Sequence, residues 1–150
     1  MIMYGRILVP VDGSETSKRG LGEAIRLAKE QGARLRCLYV IDEHYLTANY
    51  FGVVYLPELM DKLRDSGKEI LKEAAEQSGK GGVTVESVLR ESAERRVSDV
   101  ILDEAKTWAA DLIVMGTHGR RGLSHMALGS DAESVVRETQ VPVLLVRSRD

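Results

Sequence analysis

Short apolar segments alternate along this chain with longer segments whose apolar residues recur at helical spacing, and this alternation constrains the fold more than any other feature. The apolar segments predict five β-strands, at 6–12, 35–41, 83–89, 111–116 and 142–146. The segments between them predict four α-helices, at 14–31, from 56 to the glycine-rich 78–82, at 92–108 with Ser92 as its N-cap, and at 132–139. Strands that alternate with helices imply an α/β fold, a parallel sheet with helices on both faces.

The length and composition fit one globular domain, residues 1–150. The chain is 43% hydrophobic and 29% charged, with a net charge of −2 and 5% aromatic residues. We therefore expect no nucleic-acid partner, since neither a basic surface nor stacking platforms are available. The single cysteine, Cys37, excludes an internal disulfide and fits a reducing compartment. With no signal-peptide pattern and no apolar run near the roughly 20 residues that span a bilayer, we expect a cytoplasmic protein without membrane contact.

A glycine-containing segment follows the fourth predicted strand. Gly116 ends that strand, Gly119 follows three residues later, and Gly129-Ser130 comes after nine more residues, where the last helix begins. A helix start presents unpaired N–H groups and the positive end of the dipole, which suit a phosphate. Glycine there lets a phosphate approach the backbone, and Ser130 could add a hydroxyl donor. The alternative is an ordinary glycine-rich connection with a serine cap.

Asp12 lies at the carboxyl end of the first predicted strand, in Val9-Pro10-Val11-Asp12. Ligands of open parallel sheets bind outside the carboxyl ends of the strands, where the strand order reverses. If the first and fourth strands are neighbours at that reversal, Asp12 and the glycine segment face one crevice. Asp12 could then accept hydrogen bonds from a ribose or a base. The alternative is a turn or capping role before the first helix.

These features together resemble the universal stress protein family, in its nucleotide-binding branch. The resemblance rests on Val9-Pro-Val-Asp12-Gly-Ser14, Leu112-Ile-Val-Met-Gly116, the glycine pattern through Gly129-Ser130, and Pro142-Val-Leu-Leu-Val146, and it covers essentially the whole chain. It implies an open five-stranded parallel sheet of order 3-2-1-4-5, with an adenine nucleotide hydrolase-like fold. It also implies ATP or AMP as the ligand, and Mg²⁺ could accompany ATP.

The resemblance also implies a set of site residues. By position, Asp12 would meet the adenosine end, the backbone of Val40 would meet the adenine, and the glycines with Ser130 would meet the ribose and phosphates. The nucleotide-binding residues predicted in this way are Pro10, Val11, Asp12, Val40, Met115, Gly116, Thr117, His118, Gly119, Arg120, Gly129, Ser130 and Asp131.

Asp131 departs from the family pattern, because many nucleotide-binding relatives carry a small or apolar residue after the serine. A carboxylate in the first turn of a helix is favourable to the dipole but repels a nearby phosphate. Either its side chain points away, or a cation bridges it, or the site prefers fewer phosphates. Arg120 and Arg121 could compensate through charge-assisted contacts. The alternative for both arginines is a solvated loop.

The last predicted strand indicates how the chain assembles. It is apolar at consecutive positions, and no predicted helix follows to cover it. As an edge strand it would need protection, which a second chain could supply. The resemblance likewise implies a homodimer through the last strand, formed by Val143, Leu144, Leu145 and Val146. The alternative is that the preceding helices cover this strand adequately.

Other chemistries find little support in the sequence. His118 and His125 lie in one loop with no further metal ligand, so no metal site is expected. Ser124 lacks the second glycine of a nucleophile elbow. No residue is a convincing general base, so we predict a regulatory nucleotide-binding protein with no catalytic residues and little or slow hydrolysis. The alternatives are a protein-interaction module with a vacant crevice and a slow ATPase on the same fold.

Overall fold

The computed structural model describes residues 3–43, 56–117 and 128–147. In these ranges five strands alternate with four helices. The strands are β1 (Arg6–Pro10), β2 (Arg34–Ile41), β3 (Val85–Glu91), β4 (Leu112–Gly116) and β5 (Val143–Val146). The helices are α1 (Glu15–Gln31), α2 (Leu56–Lys80), α3 (Val97–Trp108) and α4 (Ser130–Glu138).

The five strands form one parallel sheet in the order β3-β2-β1-β4-β5, which confirms the predicted topology. The order reverses between β1 and β4, because the chain moves from β1 to β2 and β3 on one side and from β4 to β5 on the other. β1 pairs with β2 from Arg6 to Pro10 but with β4 only at Ile7 and Leu8. The two central strands therefore separate toward their carboxyl ends.

Helices cover both faces of the sheet, as the alternating pattern predicts. Neighbouring residues of a strand point to opposite faces, so Ile7 and Val9 pack with α1 and α2, whereas Leu8 packs with α3 and α4. These three side chains are 0% exposed. Burying each contributes roughly 1.5–3 kcal/mol relative to exposure. The central strand β1 thus contributes side chains to two apolar layers, one on each face of the sheet.

The ends of α1 follow local sequence signals. The Ser14 side chain accepts a hydrogen bond from the Ser17 backbone N–H, and Gly32 closes the helix in the left-handed conformation at φ 64°. The last helix begins at Ser130, directly after Gly129, where the glycine pattern placed its start. The predicted loops at 42–54 and 117–128 lie largely outside the described residues.

The prediction that Ser92 caps the third helix is wrong. The helix begins at Val97, with Arg96 as its N-cap residue. Ser92 instead connects two strand ends: its N–H donates to the carbonyl of Ile41, and its hydroxyl accepts from the N–H of Glu43 at 2.9 Å. Ser92 is 1% exposed, so these hydrogen bonds take the place of those that an exposed capping serine would make with water.

An ion network joins α3 to the edge strand β3 and its neighbour β2. Glu104 of α3 accepts hydrogen bonds from Arg36 at 2.7 Å and from Arg90 at 3.2 Å. Its side chain is only 8% exposed. Arg36 also bonds Glu86, and Arg90 also pairs with Asp103 at 2.9 Å. Hydrogen bonds from Arg36 and, to a smaller extent, from Arg34 hold the pKa of the Glu86 carboxyl below its usual value.

None of the helices in the described ranges has an apolar stretch long enough to cross a membrane.

Candidate functional site

The crevice predicted from the strand order would lie where the carboxyl ends of β1 and β4 diverge. Beyond β1 the chain stays with β2, because the Val11 N–H donates to the carbonyl of Leu38 at 2.8 Å. Beyond β4 it stays with β5, because the Thr117 N–H donates to the carbonyl of Val146 at 3.0 Å. Each strand end is thus held away from the other. This is the switch point at which open α/β sheets bind ligands.

Asp12 lies on the β1 wall of this crevice and forms the turn that leads into α1. Its Oδ1 accepts a hydrogen bond from the Ser14 N–H at 2.8 Å, and its own N–H donates to Ser17 Oγ at 3.1 Å. Gly13 between them has φ 84°, which glycine adopts without strain. The turn role considered for Asp12 is therefore present. The hydrogen bond from the Ser14 N–H uses Oδ1 and fixes the position of the carboxylate at the carboxyl end of β1.

The start of α4 is bonded directly to the end of β4. The Gly129 N–H donates to the carbonyl of Thr117 at 2.7 Å, and the first helical bond runs from the Glu133 N–H to the carbonyl of Gly129. Gly129 is the N-cap residue, in extended conformation, and makes no side-chain cap. Gly129 is buried, Ser130 is exposed and Asp131 is half-buried. The positive end of this helix dipole therefore lies beside the carboxyl end of β4.

Two helix starts meet at this mouth, and they differ in how they are capped. At the start of α1, the Ser17 N–H is bonded by Ser14 Oγ at 3.2 Å and the Ser14 N–H by Asp12. At the start of α4, glycine has no side chain that could accept a hydrogen bond. An external anion can take that place, since first-turn N–H groups otherwise lack intrahelical partners. The residues present therefore fit a phosphate group at α4 rather than at α1.

Gly116 is required by a contact that the sequence did not indicate. A Cβ at this position would lie 2.9 Å from both the carbonyl carbon and Oγ1 of Thr16, in the first turn of α1. A Cβ on Gly20 would likewise lie 3.4 Å from the Gly116 nitrogen. Thr16 is 4% exposed. Close packing of α1 on β4 thus requires this glycine even without a ligand, and the only sequence signal was the small residues at 16 and 20.

The structure brings most of the predicted site residues to one edge of the sheet. Val40 lies on the neighbouring strand β2, half-buried and one residue before its end. His118, Gly119 and Arg120 lie outside the described residues, as does Arg121. The residues that gather at the carboxyl ends of β1 and β4 and at the start of α4 are Pro10, Val11, Asp12, Met115, Gly116, Thr117, Gly129, Ser130 and Asp131.

Among the described residues near this edge, Glu43 has a shifted pKa. Burial, and then the neighbouring Glu91 carboxylate, raise the pKa of Glu43, which follows the end of β2. Among the described residues, no group of histidine, cysteine or carboxylate side chains could hold a metal ion. Burial raises the pKa of the Cys37 thiol to about 12, so this cysteine is a neutral core residue.

The comparisons with known proteins agree with this fold. Residues 3–147 match the model of the universal stress protein family. The chain is 38% identical to the universal stress protein YxiE of Bacillus subtilis, over 97% of this chain and 100% of that protein. It is similar in structure to the hypothetical protein MJ0577, with a TM-score of 0.83 and 27% identity over 99% of both chains.

Two ligand complexes share the fold. One is a universal stress protein in complex with cAMP, with a TM-score of 0.70 and 23% identity over 97% of this chain and 98% of that chain. The other is the universal stress protein from Archaeoglobus fulgidus in complex with dAMP, with a TM-score of 0.67 and 23% identity over 98% of this chain and 100% of that chain.

Proposed function

The chain belongs to the universal stress protein family, and on this basis we propose that it binds an adenine nucleotide, ATP or AMP, in the crevice between β1 and β4. The proposal rests on the absence of a side-chain cap from the N-cap residue of α4. Gly129 is hydrogen-bonded to the end of β4 and provides no side-chain cap, so a phosphate can complete the first turn. The cAMP and dAMP complexes of proteins with the same fold support an adenine nucleotide as the ligand.

In this proposal the phosphate lies at the start of α4, and the adenosine lies toward Asp12 and the end of β2. The Asp12 carboxylate is oriented by the Ser14 N–H and accepts a hydrogen bond from the ribose or base. Val40, one residue before the end of β2, is in position to offer its backbone to the adenine. The bound nucleotide serves as a sensed ligand of a stress-response regulator, with little or slow hydrolysis.

Nucleotide binding is expected to raise the melting temperature of the purified protein. A ligand that binds only the folded state at 100 times its Kd contributes about 2.7 kcal/mol. For a chain of this size that corresponds to about 5–10 °C. Differential scanning fluorimetry with AMP, ATP and, as a matched control, GMP measures the shift. Mass spectrometry of the denatured protein would also identify any nucleotide that is purified with it.

A Gly129→Val variant separates this proposal from its main alternative, an interaction module with a vacant crevice. The φ of −65° and ψ of 156° at Gly129 are accessible to valine, whose side chain would stand where the phosphate approaches. We expect the variant to melt cooperatively without ligand and to lose the shift with AMP and ATP. Identical melting curves of the wild-type protein with and without both nucleotides would overturn nucleotide binding.

We also propose that the protein forms a homodimer through β5. The two edges of the sheet differ, since β3 carries Glu86, Arg90 and Glu91, whereas β5 contains only apolar residues. Leu144 of β5 is 40% exposed, and Val136 of α4 is 44% exposed. Charged side chains protect an edge strand from pairing, and an apolar edge lacks this protection. A second copy of the chain would bury Leu144 and Val136.

The expected mass in solution is twice the 16.6 kDa of one chain. Leu144→Lys places a charge on the apolar edge and is expected to give the monomer in size-exclusion chromatography with light scattering. Ser87→Lys, at an exposed position of the opposite edge strand β3, is the matched control and should remain a dimer. A wild-type protein that is monomeric at micromolar concentration would contradict the β5 interface.

A further inference from the structure

Charged residues of alternating sign recur at every third or fourth position of α1, so they share one flank of the helix. In chain order they are Arg19, Glu23, Arg26 and Glu30. Ile25 is two residues, and so about 200° around the helix, from Glu23. It lies against the end of α2, where a Cβ on Gly81 would come 2.5 Å from its Cγ2. The charged flank is therefore on the side of α1 that faces away from α2.

This flank borders β5, because α1 packs against both β4 and β5. Val146 of β5 belongs to the apolar cluster that includes Leu21 and Ala24 of α1. Leu144, two positions earlier, is on the same face of the sheet, and it is 40% exposed. The charged flank of α1 and the exposed side chain of Leu144 thus lie on one face, at the apolar edge of the sheet.

A second copy that pairs with β5 would bring the two α1 helices side by side. Antiparallel pairing of β5 with its copy requires a two-fold axis perpendicular to the sheet, so both α1 helices lie on one face and run antiparallel. Gly20 lies level with the last residue of β4, which pairs with the last residue of β5. The midpoint between Glu23 and Arg26 is about 7 Å further along α1. That distance is about two residues back along β5, so an axis beside Leu144 is level with this midpoint.

The separation of the two helices favours long side chains. Because α1 lies over β4, and three strand spacings separate β4 from its copy, the helix axes would be about 14 Å apart. Helices in direct contact are only about 8–10 Å apart. The side chains of Glu23 and Arg26 are 45% and 79% exposed, and the 3.1 Å contact between them leaves further guanidinium donors available. A glutamate and an arginine can therefore meet across the gap.

The charge order of this flank is complementary to itself, because Glu23 is opposite Arg26 when the flank is aligned with an antiparallel copy. We propose that the Glu23 carboxylate of each copy pairs with the Arg26 guanidinium of the other, so that α1 makes the interface specific for a second copy of this chain. The inference rests on the proposed β5 dimer. The sheet twist makes the two helices cross, so these inner pairs meet, whereas Arg19 and Glu30 are further from their counterparts.

Reciprocal charge reversals test the pairing in the full chain. Arg26→Glu and Glu23→Arg each remove two ion pairs and place like charges opposite each other twice about the axis. We expect each to raise the dimer Kd about tenfold or more at low ionic strength, measured by analytical ultracentrifugation. Lys68→Glu, at an exposed position of α2, is the matched control for Arg26→Glu, because it changes the net charge equally. It should keep the wild-type Kd.

A mixture of the two reversed variants gives a readout that a general loss of stability would not produce. In their heterodimer, two glutamates of one copy lie opposite two arginines of the other, so native mass spectrometry should detect more than the statistical half of heterodimer. If the single variants dimerise as tightly as the wild-type protein, or if the mixture shows no such excess, the ion pairs are overturned while the β5 dimer stands. A monomeric wild-type protein overturns the β5 dimer and this inference together.

Discussion

Replacing Glu104 by alanine is expected to lower the free energy of unfolding by about 3 kcal/mol. Glu104 is 8% exposed at its side chain and neutralises two guanidinium groups, those of Arg36 and Arg90. Removal of one partner from a buried ion pair costs about 3–5 kcal/mol, because the other charge stays behind uncompensated. The lower end applies here, since Arg36 keeps Glu86 and Arg90 keeps Asp103.

Urea denaturation followed by the fluorescence of Trp108 measures this effect. Trp108 is the single tryptophan, is 7% exposed, and has the Arg36 guanidinium 4.6 Å above its ring. Asp61→Ala is the matched control, because it removes a surface pair with Arg64 in which Asp61 is 74% exposed. Such pairs contribute about 0–1 kcal/mol. Equal losses in the two variants would show that burial does not strengthen the Glu104 pairs.

Replacing Gly116 by valine is expected to cost about 3 kcal/mol even when no nucleotide is present. The new Cβ alone would lie 2.9 Å from the carbonyl carbon of Thr16, which is backbone and cannot rotate away. Overpacking of a well-packed contact costs about 1–3 kcal/mol, and the two methyl groups of valine place this substitution at the upper end. Either α1 must move away from β4, or the end of β4 must shift.

The same denaturation measurement checks this prediction, with Gly22→Ala as the control in α1. A Cβ at Gly22 would meet only Gln77 Nε2, at 3.8 Å. Alanine in a helix interior is favoured over glycine by about 1 kcal/mol, so this variant should be as stable as the wild-type protein or more so. If Gly116→Val retained wild-type stability in the absence of ligand, the close packing of α1 on β4 would be refuted.

Much of the fold was predictable from local patterns. The consecutive apolar residues of β2 and β4 mark strands buried on both faces, as parallel strands between two helical layers must be. The end of α1 was visible as Gly32, because a left-handed residue terminates a helix. The prediction for Ser92 was wrong because a serine can either cap a helix or form hydrogen bonds with the backbone of a neighbouring strand. Only the position of β2 beside β3 selects the second role.

The candidate site was predictable in part. Asp12 and Gly129 were identified as strand-end and helix-start residues, and the strand order that brings them to one edge is confirmed. The contact of Gly116 with Thr16 was not predicted, because the two residues are distant in the chain and the glycine pattern links Gly116 to a ligand rather than to α1. The network of Arg36, Glu86 and Glu104 was also missed, because these residues are distant in the chain. Isolated charged residues in a sequence are typical of a solvated surface.

The sequence by itself determined the order and type of the elements, because periodicity and helix-stop residues act over a few neighbouring positions. Ser14 and Gly129, which cap α1 and α4 differently, are likewise visible in the sequence. Only the tertiary structure decided that both helix starts lie at one edge of the sheet. The bond between the Gly129 N–H and the Thr117 carbonyl holds the start of α4 at the end of β4, and the strand order places β4 beside β1. These contacts join residues on different elements, so no local pattern encodes them.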